Sequence, residues 1–245
     1  MIDITNLVVI HGDKRILDID SLRLENEGAI ALIGPNGSGK TTLIKCLTGI
    51  QKTQPSTRIL LNDKLFSQYS NKARARLMGY IPQSFNPCWN QTAGELIMLA
   101  SSRTMVSPQA IDETCRQFEL EPLLPNRWDT LSGGEKARIL AAMALIGHPS
   151  LLVADEPGAA LDIKHRLRLI EQLVEYGKRQ LTVICLHELD LVFRYFKKAI
   201  LLSEGKVVFY GNTNELLNDT LLDKTFGVSF KRIKQDNHSI LYPEL

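Results

Sequence analysis

The chain has 245 residues, enough for one large α/β domain with a substantial buried core and too few for two such domains in tandem. Hydrophobic residues make up 44% and charged residues 23%, an ordinary soluble balance, and a formal net charge of +2 supplies no field that would gather nucleic acid or an anionic membrane. The four cysteines, Cys46, Cys88, Cys115 and Cys185, form no C-x-x-C pair and no zinc-type spacing with histidine, so they are expected as reduced thiols of a cytosolic protein.

The N-terminal stretch MIDITNLVVIHG alternates apolar and polar residues as a strand does, and lacks the basic start and long apolar run of a signal peptide. Strands are expected over residues 2–9, 22–24 and 59–61, separated by the turn-like HGDK, ENEG and QKTQPST. Residues 29–33 form a short apolar run that suits a parallel strand buried on both faces, with a helix over 42–47 beyond a glycine-rich loop. Residues 79–81 are expected as the next central strand, ending at Pro82-Gln83.

From residue 84 to 149 helical patterns take over, at 94–100, 108–120 and 134–146. Ser107-Pro108 reads as an N-cap and first-turn pair, with Asp112 and Glu113 near the helix start. This stretch is expected as a helical subdomain inserted into an α/β core made of residues 1–83 and 150–245, the whole chain forming one domain. In the second part of the core a strand is expected at 151–154 and an amphipathic helix at 163–176, stopped by Gly177. Strands at 181–186 and 199–202 follow, then a hairpin turn at Ser203-Glu204-Gly205-Lys206 into 207–210, and short helices at 213–217 and 221–226. No apolar run approaches the roughly 18 residues that a membrane-spanning helix needs.

Residues 34–42 read GPNGSGKTT, in which Gly34, Gly39, Lys40 and Thr41 fit the pattern G-x-x-x-x-G-K-[ST]. The chemistry explains the residue types. Gly34, Gly37 and Gly39 let backbone N–H groups curl around phosphate oxygens without a Cβ in the way, and Pro35, Asn36 and Ser38 complete the loop. Lys40 supplies a point charge for the β- and γ-phosphates, Thr41 a hydroxyl for Mg²⁺, and the helix entered through Thr42 its positive dipole end. Further on, Asp155 ends the apolar run LLVAD and Glu156 follows at once. An acid at a strand end can hold the Mg²⁺ shell, and its neighbour can draw a proton from the attacking water.

A second motif, LSGGE at residues 131–135, stands shortly before LLVADEP at 151–157. In this order, the glycine loop, LSGGE and the D-E pair make nearly the whole chain resemble the ATPase subunit of an ABC-type transporter. The resemblance implies an α/β P-loop NTPase fold of ABC ATPase type: a mixed sheet core, an inserted helical subdomain and an N-terminal antiparallel β subdomain. It implies ATP and Mg²⁺ as ligands. It also implies that Leu131, Ser132, Gly133, Gly134 and Glu135, with Ser132 as a helix N-cap, meet the γ-phosphate bound to a second copy, giving a head-to-tail homodimer with two composite sites. Gln83 resembles the family glutamine that touches the Mg²⁺ and water shell. Asp162, in AALD, resembles the loop that crosses the dimer interface. His187, in CLHELD, resembles the switch histidine that orients Glu156 and water. His11 falls where the family places an adenine-stacking aromatic, often Tyr. Gly158 stands where Thr or Ser usually follows D-E-P, and Glu135 and Glu188 replace the commoner Gln and Asp.

Two readings of the ATP use follow from the resemblance. In the first, the chain is the ATPase subunit of an importer, peripheral on the cytoplasmic face of the cell membrane. It would act on separate membrane permease subunits, and through them on an external substrate-binding protein. The closing segment, with Phe226-Gly227-Val228 and Leu241-Tyr242-Pro243, resembles that of importers for iron-siderophores, haem or cobalamin. Phe85, Pro87 and Trp89, just after Gln83, either line a groove for a permease helix or, in the case of Trp89, pack inside the helical subdomain. In the second, the chain is a soluble ABC ATPase without a transport role, such as a scaffold partner in iron–sulfur cluster assembly. Intact Lys40, Asp155, Glu156 and His187 oppose a degenerate sensor, and nothing points to a nucleic-acid partner.

Overall fold

The computed structural model describes residues 1–104, 106–235 and 238–244. The chain opens with an antiparallel pair, β1 (Ile2–His11) and β2 (Lys14–Leu24), whose Ile2, Ile4, Leu7 and Val9 face inward beside Leu17, Ile19, Leu22 and Leu24. β2 is far longer than the 22–24 expected from sequence. β3 (Gly28–Ile33) then enters the glycine loop and α1 (Lys40–Leu47), after which β4 (Arg58–Leu61) and the two-residue β5 (Lys64–Leu65) complete a four-stranded antiparallel sheet ordered β2-β1-β4-β5.

A short helix that apolar periodicity does not reveal, α2 (Asn71–Leu77), leads into β6 (Met78–Ile81). It buries no side chain fully and is started by the Ser70 hydroxyl accepting from Ala73 N–H, 3.2 Å. Three helices follow: α3 (Ala93–Ser102), α4 (Pro108–Gln117) and α5 (Gly133–Leu145). α3 starts with a capping box of Thr92 and Glu95, and α4 with Ser107 and Pro108 as expected. α4 ends at Gln117, three residues short of the expected 120, because Glu119 turns into the left-handed region at φ 53° and breaks the ladder. Counted from Pro108, Asp112 and Glu113 lie just beyond its first turn.

The core resumes with β7 (Leu151–Asp155), α6 (Ile163–Gly177), β8 (Leu181–Cys185), α7 (Leu189–Tyr195), β9 (Lys198–Ser203) and β10 (Lys206–Asn212). β9 turns into β10 through Glu204 and Gly205, both at positive φ, the geometry of a tight hairpin turn. These strands join β3 and β6 in a six-stranded mixed sheet ordered β10-β9-β3-β8-β7-β6, parallel except for β10. β6 is therefore an edge strand, not a central one: Tyr80 is only half-buried, and α5 lies so close that a Cβ on Gly79 would come within 2.3 Å of the Ala144 carbonyl oxygen. β7 and β8 are buried along their whole length, as apolar runs in a parallel sheet should be.

Gly177 does not stop α6 by adopting a left-handed cap; it is the last helical residue, and Lys178 follows in the right-handed region. Its role is proximity. A Cβ there would lie 2.8 Å from Ala29 Cβ and 2.9 Å from Ala29 N, on β3. Gly177→Ala should gain up to about 1 kcal/mol of helix propensity and lose about 1–3 kcal/mol to overpacking against rigid backbone. The urea midpoint of the variant should fall; a rise would mean that α6 can step away from the sheet at little cost.

α8 (Thr213–Asn218) and α9 (Leu221–Phe226) close the core, and the tail forms a hairpin of β11 (Ser229–Gln235) and β12 (His238–Glu244) packed against α7. Arg232 clasps this hairpin to α8 and α9. Its guanidinium donates to the Leu217 and Asp219 carbonyls at 2.6 and 2.7 Å and pairs with Asp223, holding that carboxyl down at about 2. Of the tail residues that resemble importer subunits, Phe226 and Leu241 pack against the core, and Tyr242 is exposed.

Candidate functional site

Because β3, β6, β7 and β8 run parallel, their C-terminal ends share one edge of the sheet. That edge receives the glycine loop after β3, Gln83 after β6, Asp155 and Glu156 at the end of β7, and His187 after β8. It is the position at which open α/β sheets bind ligands.

The glycine loop is built to exclude side chains. A Cβ on Gly34, at φ 150°, would sit 2.1 Å from the Leu202 carbonyl oxygen, and one on Gly39, at φ 103°, 2.7 Å from Leu17 of β2. The β9–β10 turn props the loop from below, with Gly205 N–H donating to the Ser38 carbonyl at 3.0 Å. Lys40 is 6% exposed, and its ammonium donates to the Gly34 and Pro35 carbonyls at 2.8 and 2.9 Å. These bonds hold the cation over the loop mouth, where phosphate oxygens would compete for it.

Asp155 is buried, and among the described residues neither carboxylate oxygen has a hydrogen-bond partner at good geometry. Burial pushes its carboxyl up, while the neighbouring Thr41 hydroxyl and Cys185 thiol pull the other way. A buried carboxylate left so nearly unpaired fits a cation. Asp155, Glu156 and Cys185 offer ligand atoms within 4.8 Å of one another; burial pushes the Cys185 thiol up, and its soft sulfur suits a hard cation poorly. Oxygen donors remain, namely Asp155 with the Thr41 hydroxyl beside it, and they suit a hard cation such as Mg²⁺.

Glu156 takes the left-handed conformation, φ 52°, with its N–H bonded to the Cys185 carbonyl at 3.2 Å. This aims its carboxylate between two partners: Gln83 Nε2 donates to Oε2 at 3.0 Å, and His187 Nε2 meets Oε1 at 2.5 Å. Two residues, each more than 30 positions from Glu156 in sequence, thus converge on its carboxylate.

LSGGE lies at the start of α5. Ser132 caps the helix by accepting from Glu135 N–H at 3.3 Å, and the Glu135 carboxylate accepts from Ser132 N–H at 2.7 Å and from its hydroxyl at 2.8 Å. The bonds from Ser132 hold the Glu135 carboxyl below its usual range. Glu135 thus completes a capping box, which the S-x-x-E spacing spells out. Gly133 and Gly134 are needed for close approach: a Cβ on the first would lie 2.9 Å from the Ala160 side chain, and one on the second 3.2 Å from that of Leu161. Leu131 is buried. Asp162 caps α6, accepting from His165 N–H at 2.9 Å and meeting its Nδ1 at 2.8 Å, and these bonds lower its carboxyl. His11 is exposed as the last residue of β1, beside the turn to the strand whose Leu17 supports Gly39.

Trp89 does not pack inside the helical segment; its side chain is 77% exposed. The buried tryptophan is Trp128, which meets Phe85 edge-to-face at 5.3 Å, with Lys136 over its ring. A cavity of 240 Å³ runs here between Gln83, Phe85, Trp128, Lys136, Leu140 and Glu156. The larger 690 Å³ cavity lies elsewhere, along α6 by Gln117, His148 and Arg179, and touches none of the groups above. Arg166, which nothing in the sequence singles out, bonds on both sides of the Glu156–His187 pair. No motif marks it; it lies one turn after Asp162, the residue that caps α6.

The sequence profile of the ABC transporter family matches residues 17–159, more than half the chain. The chain belongs to the ABC transporter family. This ABC ATPase is 28% identical to a probable iron chelatin transport ATP-binding protein of Helicobacter pylori, over 99% of both chains. It is 30% identical to the hemin import ATP-binding protein HmuV of Thermobifida fusca, over 88% of its own length and 78% of the relative. Among solved structures, an ATP-binding subunit of an ABC transporter superposes with a TM-score of 0.79 at 25% identity, over 93% of this chain and 95% of the other. The fold is that of an ABC ATPase, and the chain is an ATP-hydrolysing subunit. No helix among the described residues is long and apolar enough to cross a membrane.

Proposed function

We propose that this chain is one ABC ATPase domain that couples ATP hydrolysis to import through a separate membrane permease, as a pair of identical subunits on the cytoplasmic face of the membrane. The observation that carries the catalytic reading is the Glu156 carboxylate, held between Gln83 and His187 directly after the buried Asp155. Lys40 and the backbone N–H groups of residues 36–42 bind the ATP phosphates, and His11 borders the base. Thr41, Asp155 and Gln83 would hold Mg²⁺, which when bound neutralises charge on the phosphates. Glu156 takes a proton from the attacking water, one of its two contacts giving way to the water. His187 and Gln83 fix the carboxylate's direction. The products are ADP and phosphate.

LSGGE and the Asp162 turn face a second copy, so that Ser132 and the N–H groups of Gly133 and Gly134 complete the partner's phosphate site. Exposed Trp89, with Phe85 and Pro87, offers an apolar edge just after Gln83 for a permease segment. Likeness over nearly the full length to an iron chelatin transport protein, and to a hemin import protein, favours an iron chelate or haem as cargo, with cobalamin in the same class. The test is a mild-detergent pull-down of the tagged chain from its native cells. A polytopic membrane protein should co-purify in near-equal amount. Recovery with soluble partners alone, and none of the chain in the membrane fraction, would retire the importer in favour of a soluble role such as cluster assembly.

A further inference from the structure

We propose that Arg166 is a positioning residue for hydrolysis, tying the segment that carries His187 to the loop between Glu156 and Asp162. This rests on the reading of Glu156 as base and His187 as its partner. Arg166 lies one turn into α6, its N–H bonded to the Asp162 carbonyl at 2.9 Å. All three guanidinium nitrogens are used. Nε donates to the Gly158 carbonyl at 3.2 Å, Nη2 donates to the Leu161 carbonyl at 3.1 Å, and Nη1 pairs with Glu188. Glu188 follows His187 directly, and Gly158 stands two residues after Glu156. A 140 Å³ cavity is lined jointly by Glu156, Ala159, Arg166, Leu186, His187 and Glu188, so the bracket closes around the catalytic pair without touching it.

The two positions that depart from the family pattern on this side of the site are the two ends of the bracket. Gly158, at φ 85°, turns its carbonyl toward Arg166, and a Cβ there would press on Leu161 at 3.1 Å and on the Arg166 stem at 3.5 Å. Glu188 reaches Nη1 from the other strand end. A half-exposed ion pair alone contributes little. What a planar fork adds, and a lysine ammonium lacks, is fixed simultaneous direction toward two carbonyls and a carboxylate.

The experiment measures kcat, KM for ATP and thermal midpoint on the full chain for Arg166→Ala, Arg166→Lys, Glu188→Gln and the Arg166→Ala/Glu188→Gln double variant, with Glu156→Gln alongside. Both Arg166 variants should lose about tenfold or more in kcat, with KM within about twofold, because the phosphates are held by another element. The double variant should be no slower than Arg166→Ala alone, since both lesions open one bracket. Normal kcat in Arg166→Lys would overturn the proposal, since neutralising Glu188 would then suffice. So would a lowered midpoint with full kcat per folded molecule, the mark of a purely structural arginine. If Glu156→Gln keeps turning over, the underlying assignment of the base falls and this proposal with it. If Glu156→Gln is dead and the Arg166 variants are normal, this proposal alone fails.

Discussion

Glu156→Gln is expected to bind ATP about as well as the unaltered chain and to hydrolyse it about 10²–10⁴-fold more slowly. The amide nearly matches the carboxylate in shape, and its oxygen and nitrogen can still meet Gln83 and His187, which now bond to the two carboxylate oxygens at 3.0 and 2.5 Å. What disappears is the ability to accept water's proton. The glycine loop, Lys40 and Asp155 are untouched, so ATP affinity has no reason to fall. Two copies that close on ATP and cannot hydrolyse it should accumulate closed. Gel filtration with ATP and Mg²⁺ should therefore show the variant at twice the monomer mass, while the unaltered chain, which resets, stays largely monomeric. Elution of the ATP-loaded variant as a monomer would sink the composite two-copy site. Unimpaired turnover would sink the assignment of the base.

The groups proposed to carry this chemistry are legible in the sequence because their constraints are local. A loop of GPNGSGKTT admits few side chains, and LLVADEP announces a buried strand that ends in two acids. Convergence is not legible from composition or spacing. Gln83, Glu156 and His187 meet only because β6, β7 and β8 are parallel neighbours, and pairing order is a long-range property that apolar runs do not encode. For the same reason β6 reads as a central strand: MGYI looks like LLVA, and only its place in the pairing order distinguishes an edge. Gly177 misleads because a glycine near a helix end usually marks a left-handed cap, whereas this one makes room for Ala29. α2 escapes because NKARARL has no apolar stripe, its helix being fixed by the Ser70 cap and its neighbours. The tail speaks mainly by likeness, and the antiparallel pairing of β11 with β12 is a register that likeness does not give. Glu135 stands out first as a substitution for the family's Gln, yet with Ser132 it spells a capping box.

Lys40→Ala is expected to abolish measurable hydrolysis at ordinary ATP concentrations, chiefly by weakening binding. The ammonium is almost wholly buried and bonded to two carbonyls of its own loop, at 2.8 and 2.9 Å. A lysine held so firmly has already lost its side-chain freedom, so little further ordering opposes its bonds to phosphate. Charge-assisted hydrogen bonds contribute about 1.5–3 kcal/mol each, so loss of the contacts to both the β- and γ-phosphates should raise the dissociation constant about 10²–10⁴-fold. The substitution also strips the Gly34 and Pro35 carbonyls of their donor, which could slacken the loop even without nucleotide. The two effects separate experimentally. A fluorescent-nucleotide titration reads the loss of affinity, and urea unfolding without nucleotide reads the loop. The expected pattern is a large rise in dissociation constant with a small shift in the urea midpoint, since Gly34 and Gly39 remain wedged against Leu202 and Leu17. A large midpoint shift with unchanged affinity would make Lys40 a strut of the loop and not a phosphate ligand, and undiminished turnover would remove the phosphate site from this loop altogether.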